Sequence, residues 1–227
     1  MKRITIAVDG YSSCGKSTMA KYMAKTLAYT YVDTGAMYRS IALYAIRNKL
    51  VNDSIINEDH LHAEISKIEL SFDSKGNVLL NGEDVSGEIR SLEVSRYVSY
   101  ISALPFVRSR MVELQRKMGK NGGVVMDGRD IGTVVFPNAE LKIFVTADAD
   151  VRAKRRFDEM KSNSQLASYE DILENIKQRD YMDEHRQESP LRKADDAIVL
   201  DNSNMSIEEQ NSWLMARYAE KCKNRNR

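Results

Sequence analysis

The chain holds only two cysteines, Cys14 and Cys222, in 227 residues. That is too few for a disulfide framework. Cys14 also lies inside a glycine-rich loop, where a staple would hinder the loop's work. A reducing compartment fits this usage. An excess of one charge is equally lacking: 34 Lys and Arg stand against 33 Asp and Glu, a formal net charge of +1. No overall basic field draws the chain to nucleic acid or to an anionic membrane, so any positive site must be local. No uncharged run approaches the ~20 residues of a membrane span, and the opening MKRITIAV has no apolar stretch of signal-peptide length. The expectation is a cytoplasmic protein. Histidine is sparse, and His60, His62 and His185 have no metal-ligand spacing to a cysteine or acid; they read as surface or structural. The single tryptophan, Trp213, reads as a packing residue. Internal repeats and low-complexity linkers are missing as well.

What is present is a chain 42% hydrophobic and 30% charged, the balance of a soluble globular protein. Its length suits one domain, or a core with small insertions. RITIAV reads as a short buried strand, and VVMD, LKIFVTA and AIVLD are apolar runs of strand length. GKSTMAKYMAKTLA places Met19, Met23 and Leu27 at helical spacing. YVDTGAMYRSIALYAIRNKL reads as a short strand, a turn and a second helix. Further helical patterns cover about 105–120, 149–161, 168–187 and 206–221, the last opened by a capping box of Ser206 and Glu209. Strands alternating with helices predict an α/β core with a parallel sheet. One stretch breaks the rhythm. KIELSFDSKGNVLLNGEDV alternates at Ile68, Leu70 and Phe72, turns at DSKGN and runs on through VLLNG. That is a β-hairpin pattern wet on one face, placed outside the core as an insertion at about 62–100.

Gly10-Tyr11-Ser12-Ser13-Cys14-Gly15-Lys16-Ser17 fits G-x-x-x-x-G-K-[ST] at every fixed position, with Thr18 next. The glycines allow backbone angles that turn successive N–H groups round an anion. The helix that follows offers its N-terminus to phosphate. Lys16 can reach the β- and γ-phosphates, and the Ser17 hydroxyl can ligate Mg²⁺. The pattern therefore holds the phosphates of a nucleoside triphosphate. It does not say what is done with it. A GTPase needs Asn-Lys-x-Asp, and the one Asn-Lys pair, Asn48-Lys49, is followed by Leu and Val. An ATPase or an RNA-handling protein stays open at this point.

Arginine narrows the choice. A kinase acting on a nucleotide must neutralise two anions in one cleft without being basic overall. Arg39 lies one turn into the helix after VDTGAMYR, and Arg129 follows VVMD in DGRDIG. Both stand just beyond strand ends, where ligands bind in open α/β sheets. Arg152, Arg155 and Arg156 share a helix face, as do Arg179, Asp183 and Arg186. Either trio reads as well as a solvated ion-pair face, the first against Asp148, Asp158 and Glu159. Asp127, at the end of an apolar run, is a Mg²⁺ ligand or a turn residue. Asp130 is a turn residue or a base reader, since a carboxylate accepts from an exocyclic amine such as cytosine N4.

Together IAVDGYSSCGKST, YVDTGAMYR, NGEDVSGEIR, DGRDIGTVVFPNAELKIFVTA and IKQRDYMDEHR resemble the bacterial cytidylate kinases, over about residues 3–220. The phosphate loop alone is widespread; DTGAMYR followed by DGRDIGTVVFP is specific. The family often has proline where this chain has Tyr11, a position the backbone cradle does not depend on.

The resemblance implies a P-loop kinase of three parts in a single domain. The parallel-sheet core would take about 1–61, 101–151 and 167–227. The nucleoside-monophosphate part would hold the antiparallel insertion at 62–100, and a short helical lid would lie at 152–166. It implies lid arginines, Arg152, Arg155 and Arg156, that close over the γ-phosphate. It implies Ser99, Arg108 and Asp130 on the cytosine edge, Arg179 and Asp183 on the ribose, and Thr34, Arg39, Arg129 and Arg186 on the CMP phosphate. Catalysis would rest on Lys16, arginines and Mg²⁺ held by Ser17 and Asp127. Its substrates would be ATP with CMP or dCMP, its partners these small molecules alone, and its state monomeric.

Overall fold

The structure, a computed structural model, describes residues 3–52, 55–73, 75–162 and 167–224. In chain order the elements are β1 (Thr5–Gly10), α1 (Lys16–Leu27), β2 (Thr30–Asp33), α2 (Thr34–Arg47), β3 (Val51–Asn52), β4 (Ile55–Ile56) and α3 (Glu58–Glu64). Then follow β5 (Leu70–Phe72), β6 (Val78–Leu80), β7 (Glu83–Asp84), α4 (Leu92–Ala103) and α5 (Pro105–Gly119). The chain ends with β8 (Val124–Gly128), β9 (Leu141–Thr146), α6 (Ala149–Ser162), α7 (Tyr169–His185), β10 (Ile198–Asp201) and α8 (Ile207–Asn224). It divides into two compact units, Met1–Tyr31 with Asn121–Arg227, and Val32–Lys120. The expected 62–100 insertion falls inside the second unit. The expected lid at 152–166 takes in α6 from Arg152 onward, and its residues 163–166 lie outside the described residues.

A five-stranded sheet runs in the order β10-β9-β1-β8-β2. The central β1 pairs in parallel with both β8 and β9, and β10 pairs in parallel with β9. β1 and β8 are buried along nearly their whole length, as strands covered on both faces must be, and that is why they read as continuous apolar runs. Ile6, Val8, Val125, Leu141, Ile143 and Val145 meet Met19, Met23 and Leu214 in one core. Trp213 packs against that core from its rim, as expected of it. α6 and α7 share a smaller core of Ala153, Met160, Ile172 and Ile176. Because the strands are parallel, the ends of β1 and β8 stand together, with Asp9 in register with Gly128.

Caps fix where helices start. Ser168 caps α7 through the Asp171 amide, and Ser206 and Glu209 form the reciprocal box at α8. In the second unit Asp33 caps α2 directly through the Ala36 amide at 2.7 Å, so strand passes to helix without the expected turn. There the hairpin gains a third strand: β5, β6 and β7 form one antiparallel sheet, with Leu70, Val78 and Leu80 buried. α4 is a further addition to the hairpin. Val94, Val98 and Ile101 are its buried stripe, and the serines and tyrosines between them blur the helical pattern in sequence.

Candidate active site

In the first unit the phosphate loop leaves β1 at Gly10, which takes φ 143; a Cβ there would lie 2.0 Å from the Val145 carbonyl oxygen. Only glycine fits so close an approach. α1 then starts on Gly15 with no side-chain cap and no acid in its first turn, unlike α7. Its opening amides are left for an anion. The Lys16 ammonium is 5% exposed and donates to the Tyr11 carbonyl across the loop. Burial lowers its pKa, and the charge of Arg129 lowers it further, while Asp127 and Asp183 oppose both. Neighbours outside the loop hold its shape: Asn202 donates to the Cys14 carbonyl at 2.9 Å and Arg152 to the Ser12 carbonyl at 3.2 Å.

Ser17 stands one residue further on and donates to Asp127 at 2.9 Å; Tyr31 donates to the other Asp127 oxygen at 2.8 Å. Asp127 is buried at the end of β8. A hydroxyl and a carboxylate, both hard oxygen donors beside the phosphate loop, are the groups here that could hold a divalent cation.

Beyond Asp127 the chain continues through Arg129. Its Nε donates to Asp183 at 2.8 Å, and Arg186 donates to the other Asp183 oxygen at 3.4 Å. Burial pushes the Asp183 carboxyl up, but Arg129, Arg186 and Arg179 outweigh it and hold the group below the usual carboxylate range. The same-face trio of α7 is therefore an inward charge cluster. Asp130 is 3% exposed and opens a π-helical turn over Ile131–Val135 without capping it by its own side chain. That cap comes from Asp9, which accepts from the Ile131 and Gly132 amides.

The arginines of α6 divide. Arg152, 5% exposed, donates to the Ala147 and Ser12 carbonyls and pairs with Asp180 at 2.6 Å. Arg155 holds Asn202 by its side chain and its carbonyl. Arg156 pairs with Glu159 at 3.0 Å on the surface, and Lys154 takes Asp158.

The second unit carries the other expected acceptor residues. Thr34 is the buried first residue of α2, and Arg39 one turn on is held by Asp33 at 3.3 Å. Arg108 is 3% exposed; it donates to the Ser102 carbonyl at 3.1 Å and lies over the Tyr38 ring at 5.4 Å. Ser99 joins this group through its carbonyl, which accepts from the Ser102 hydroxyl.

The protein-family model for cytidylate kinase matches residues 6–219. The chain belongs to the cytidylate kinase family. A cytidylate kinase of Bacteroides fragilis is 56% identical, with 98% of this chain and 100% of that one covered. One of Flavobacterium psychrophilum is 53% identical, with 92% and 95% covered. Among solved structures a shikimate kinase of Bacteroides thetaiotaomicron gives a TM-score of 0.51 at 13% identity, covering 97% of this chain and 98% of the other, a likeness of fold alone. In this chain the residues that the sequence did not reveal are those that orient others: Asp33 behind Arg39, Asn202 behind the loop, Asp180 behind Arg152 and Tyr38 beneath Arg108.

Proposed function

We propose that the loop Gly10–Ser17, with Thr18, binds the phosphates of ATP and that the arginines grip the acceptor. The reaction transfers the γ-phosphoryl group of ATP to CMP or dCMP and yields ADP with CDP or dCDP. What supports the reading most is one relationship. Arg152 donates to the Ser12 carbonyl of the donor loop and pairs with Asp180 on α7, one turn before Asp183 of the expected acceptor set. Donor and acceptor chemistry share one electrostatic neighbourhood there.

The acceptor phosphate oxygen is already ionised at neutral pH, so no general base is needed. A bond forms from that oxygen to the γ-phosphorus as the bridge to the ADP oxygen breaks. Negative charge spreads over the transferred group, and Lys16 with Arg129 is suited to neutralise it. We assign Arg39, Arg186 and Thr34 to the CMP phosphate, Arg179 and Asp183 to the ribose, and Ser99, Arg108 and Asp130 to the cytosine edge. Arg152, Arg155 and Arg156 would steady the donor side from the lid helix. Arg152 already braces the loop carbonyl of Ser12.

Ser17 and Asp127 fit Mg²⁺, which takes few protein oxygens and completes its shell with phosphate oxygens and water. When bound it would neutralise β- and γ-phosphate charge. These substrates put the enzyme in pyrimidine nucleotide metabolism. Cysteine usage and balanced charge favour a cytoplasmic monomer with neither nucleic-acid nor membrane partners. Among the described residues no helix is long and apolar enough to cross a membrane.

The test is ATP consumption with Mg²⁺ and CMP, dCMP, UMP or AMP offered singly, beside a control without acceptor. Turnover should be strongest with CMP or dCMP and near zero without acceptor. Rapid ATP loss in the control would overturn the acceptor assignment.

A further inference from the structure

Asp9 has no part in the reaction just described, yet it is a carboxylate only 5% exposed. A buried carboxylate needs its lone pairs satisfied. One Asp9 oxygen accepts from the Ile131 amide at 2.8 Å and the other from the Gly132 amide at 2.7 Å. These two amides open the π-helical turn that follows Asp130. The residue before a helical turn commonly caps such amides with its own side chain. Asp130 occupies that position and does not do so. The cap arrives instead from 122 residues earlier, from the strand end that leads into the phosphate loop.

The turn is held from a second side. A Cβ on Gly132 would lie 3.1 Å from Lys142 Cδ and 3.3 Å from an Asp9 oxygen. Lys142 is itself buried on β9, with its ammonium on Asp196 at 2.8 Å and on the Pro137 carbonyl. The segment has little room to shift while both neighbours stay in place.

We propose that Asp9 is a positioning residue for substrate choice: by capping the turn at Ile131 and Gly132 it relieves Asp130 of that task and fixes the Arg129–Asp130 segment against the strand that carries the phosphate loop. The proposal rests on the reading of Asp130 as a reader of the cytosine edge. It follows that the accuracy of base reading is set by a residue that touches neither the base nor the phosphates. Small displacements of such a segment are costly, since a misplacement of about 1 Å can lower a rate about 100-fold.

Asp9→Asn keeps the size and removes half of the cap, because an amide accepts at one end and donates at the other. One backbone N–H then faces another N–H. At about pH 8, above the value of about 7 to which burial raises Asp9 and so with its carboxylate ionised, the kcat/KM for CMP should fall about 100-fold. The ratio of kcat/KM for CMP over UMP should fall as well, while affinity for a non-hydrolysable ATP analogue without acceptor stays at the wild-type value. A merely structural role would lower both nucleotides equally and leave that ratio alone, which would overturn the proposal. Loss of analogue affinity in step with the rate would also overturn it, by assigning Asp9 to the phosphate loop. Gly132→Ala is the second variant, should Asp9→Asn not fold. It presses on the same contact without changing charge and should lower the CMP-over-UMP ratio in the same direction; a wild-type ratio there overturns the clamp. Asp130→Asn, measured beside these, separates the two readings. An unchanged ratio in Asp130→Asn removes the base reading and the purpose of the clamp with it. A lowered ratio there with a wild-type ratio in Asp9→Asn overturns the clamp alone.

Discussion

The Ser17 hydroxyl donates to the Asp127 carboxylate at 2.9 Å, and this bond joins the first turn of α1 to the end of β8. The two oxygens are the candidate cation ligands, and Tyr31 orients the carboxylate from its other side. Tyr31→Phe removes that outer hydrogen bond and leaves both candidate ligands in place. Loss of an outer-shell partner typically costs about 10–100-fold in metal affinity. The Mg²⁺ activation curve should shift to higher concentration by a factor in that range, with turnover at saturating Mg²⁺ close to wild type. A curve that does not move would detach Asp127 from the cation.

Lys16 is buried beneath the loop and bonded only to loop atoms, the Tyr11 carbonyl and Cys14 Sγ, among its described hydrogen bonds. Lys16→Ala should leave the fold intact, because it removes a charge whose burial is already unfavourable. Acceptor-dependent ATP consumption should drop by at least about 100-fold. Near-normal turnover would show that the loop binds without catalysing.

Arg152 and Arg156 share a helix face but predict opposite outcomes. Arg152→Ala strands the partly buried Asp180 carboxylate and removes the Ser12 contact, so it should destabilise the protein by about 1–3 kcal/mol. Arg156 sits in a surface pair with Glu159. Arg156→Ala should change stability by less than about 1 kcal/mol. If Arg156 nevertheless serves the γ-phosphate, its loss appears in kcat alone. Denaturant midpoints measured beside turnover separate the two effects. Equal stability losses in both variants would contradict this division.

Two buried carboxyls push stability in opposite directions with pH. Burial raises Asp9 to about 7, against the pull of the Gly132 and Ile131 amides. The folded state therefore holds a proton that the unfolded chain has released, and stability falls as pH rises from about 4 to about 7, then levels. Asp183 is held below its ordinary value by the arginines around it, in spite of burial. Its contribution is present above the ordinary carboxylate range and is lost as pH falls below it. Urea midpoints across pH 3 to 8 should thus peak in mild acid. Asp9→Asn should remove the decline between about 4 and 7, which is worth on the order of a few kcal/mol. A decline that persists in that variant would assign it to another group.

The alternation of strands and helices was legible because parallel strands are buried on both faces and leave unbroken apolar runs, as at Val124–Met126 and Ile143–Val145. The loop between β1 and α1 was legible because its glycine and lysine pattern is local in sequence. α4 was not: Ser95, Ser99 and Ser102 interrupt its apolar stripe, and only packing in the second unit makes Val94, Val98 and Ile101 a buried face. The orienting residues were illegible for a different reason. Asn202 reaches Cys14 across 188 positions and Asp9 reaches Gly132 across 123, and no spacing rule spans such distances. The arginines of α6 also show the limit of periodicity. It correctly gives three residues one face, but only the elements packed against that face decide that Arg152 is buried while Arg156 pairs at the surface.

The opening of α1, with neither a capping side chain nor an acid in its first turn, has a practical corollary. On the proposed reading its amide N–H groups would donate to an oxyanion, and inorganic phosphate and sulfate are common laboratory salts. Binding to the folded state alone raises apparent stability by RT ln(1 + [L]/Kd). A melting curve recorded in phosphate buffer is thus a titration point rather than a property of the bare protein. If the loop binds nucleotide phosphates as proposed, assay and storage salts would act as weak competitors of that nucleotide.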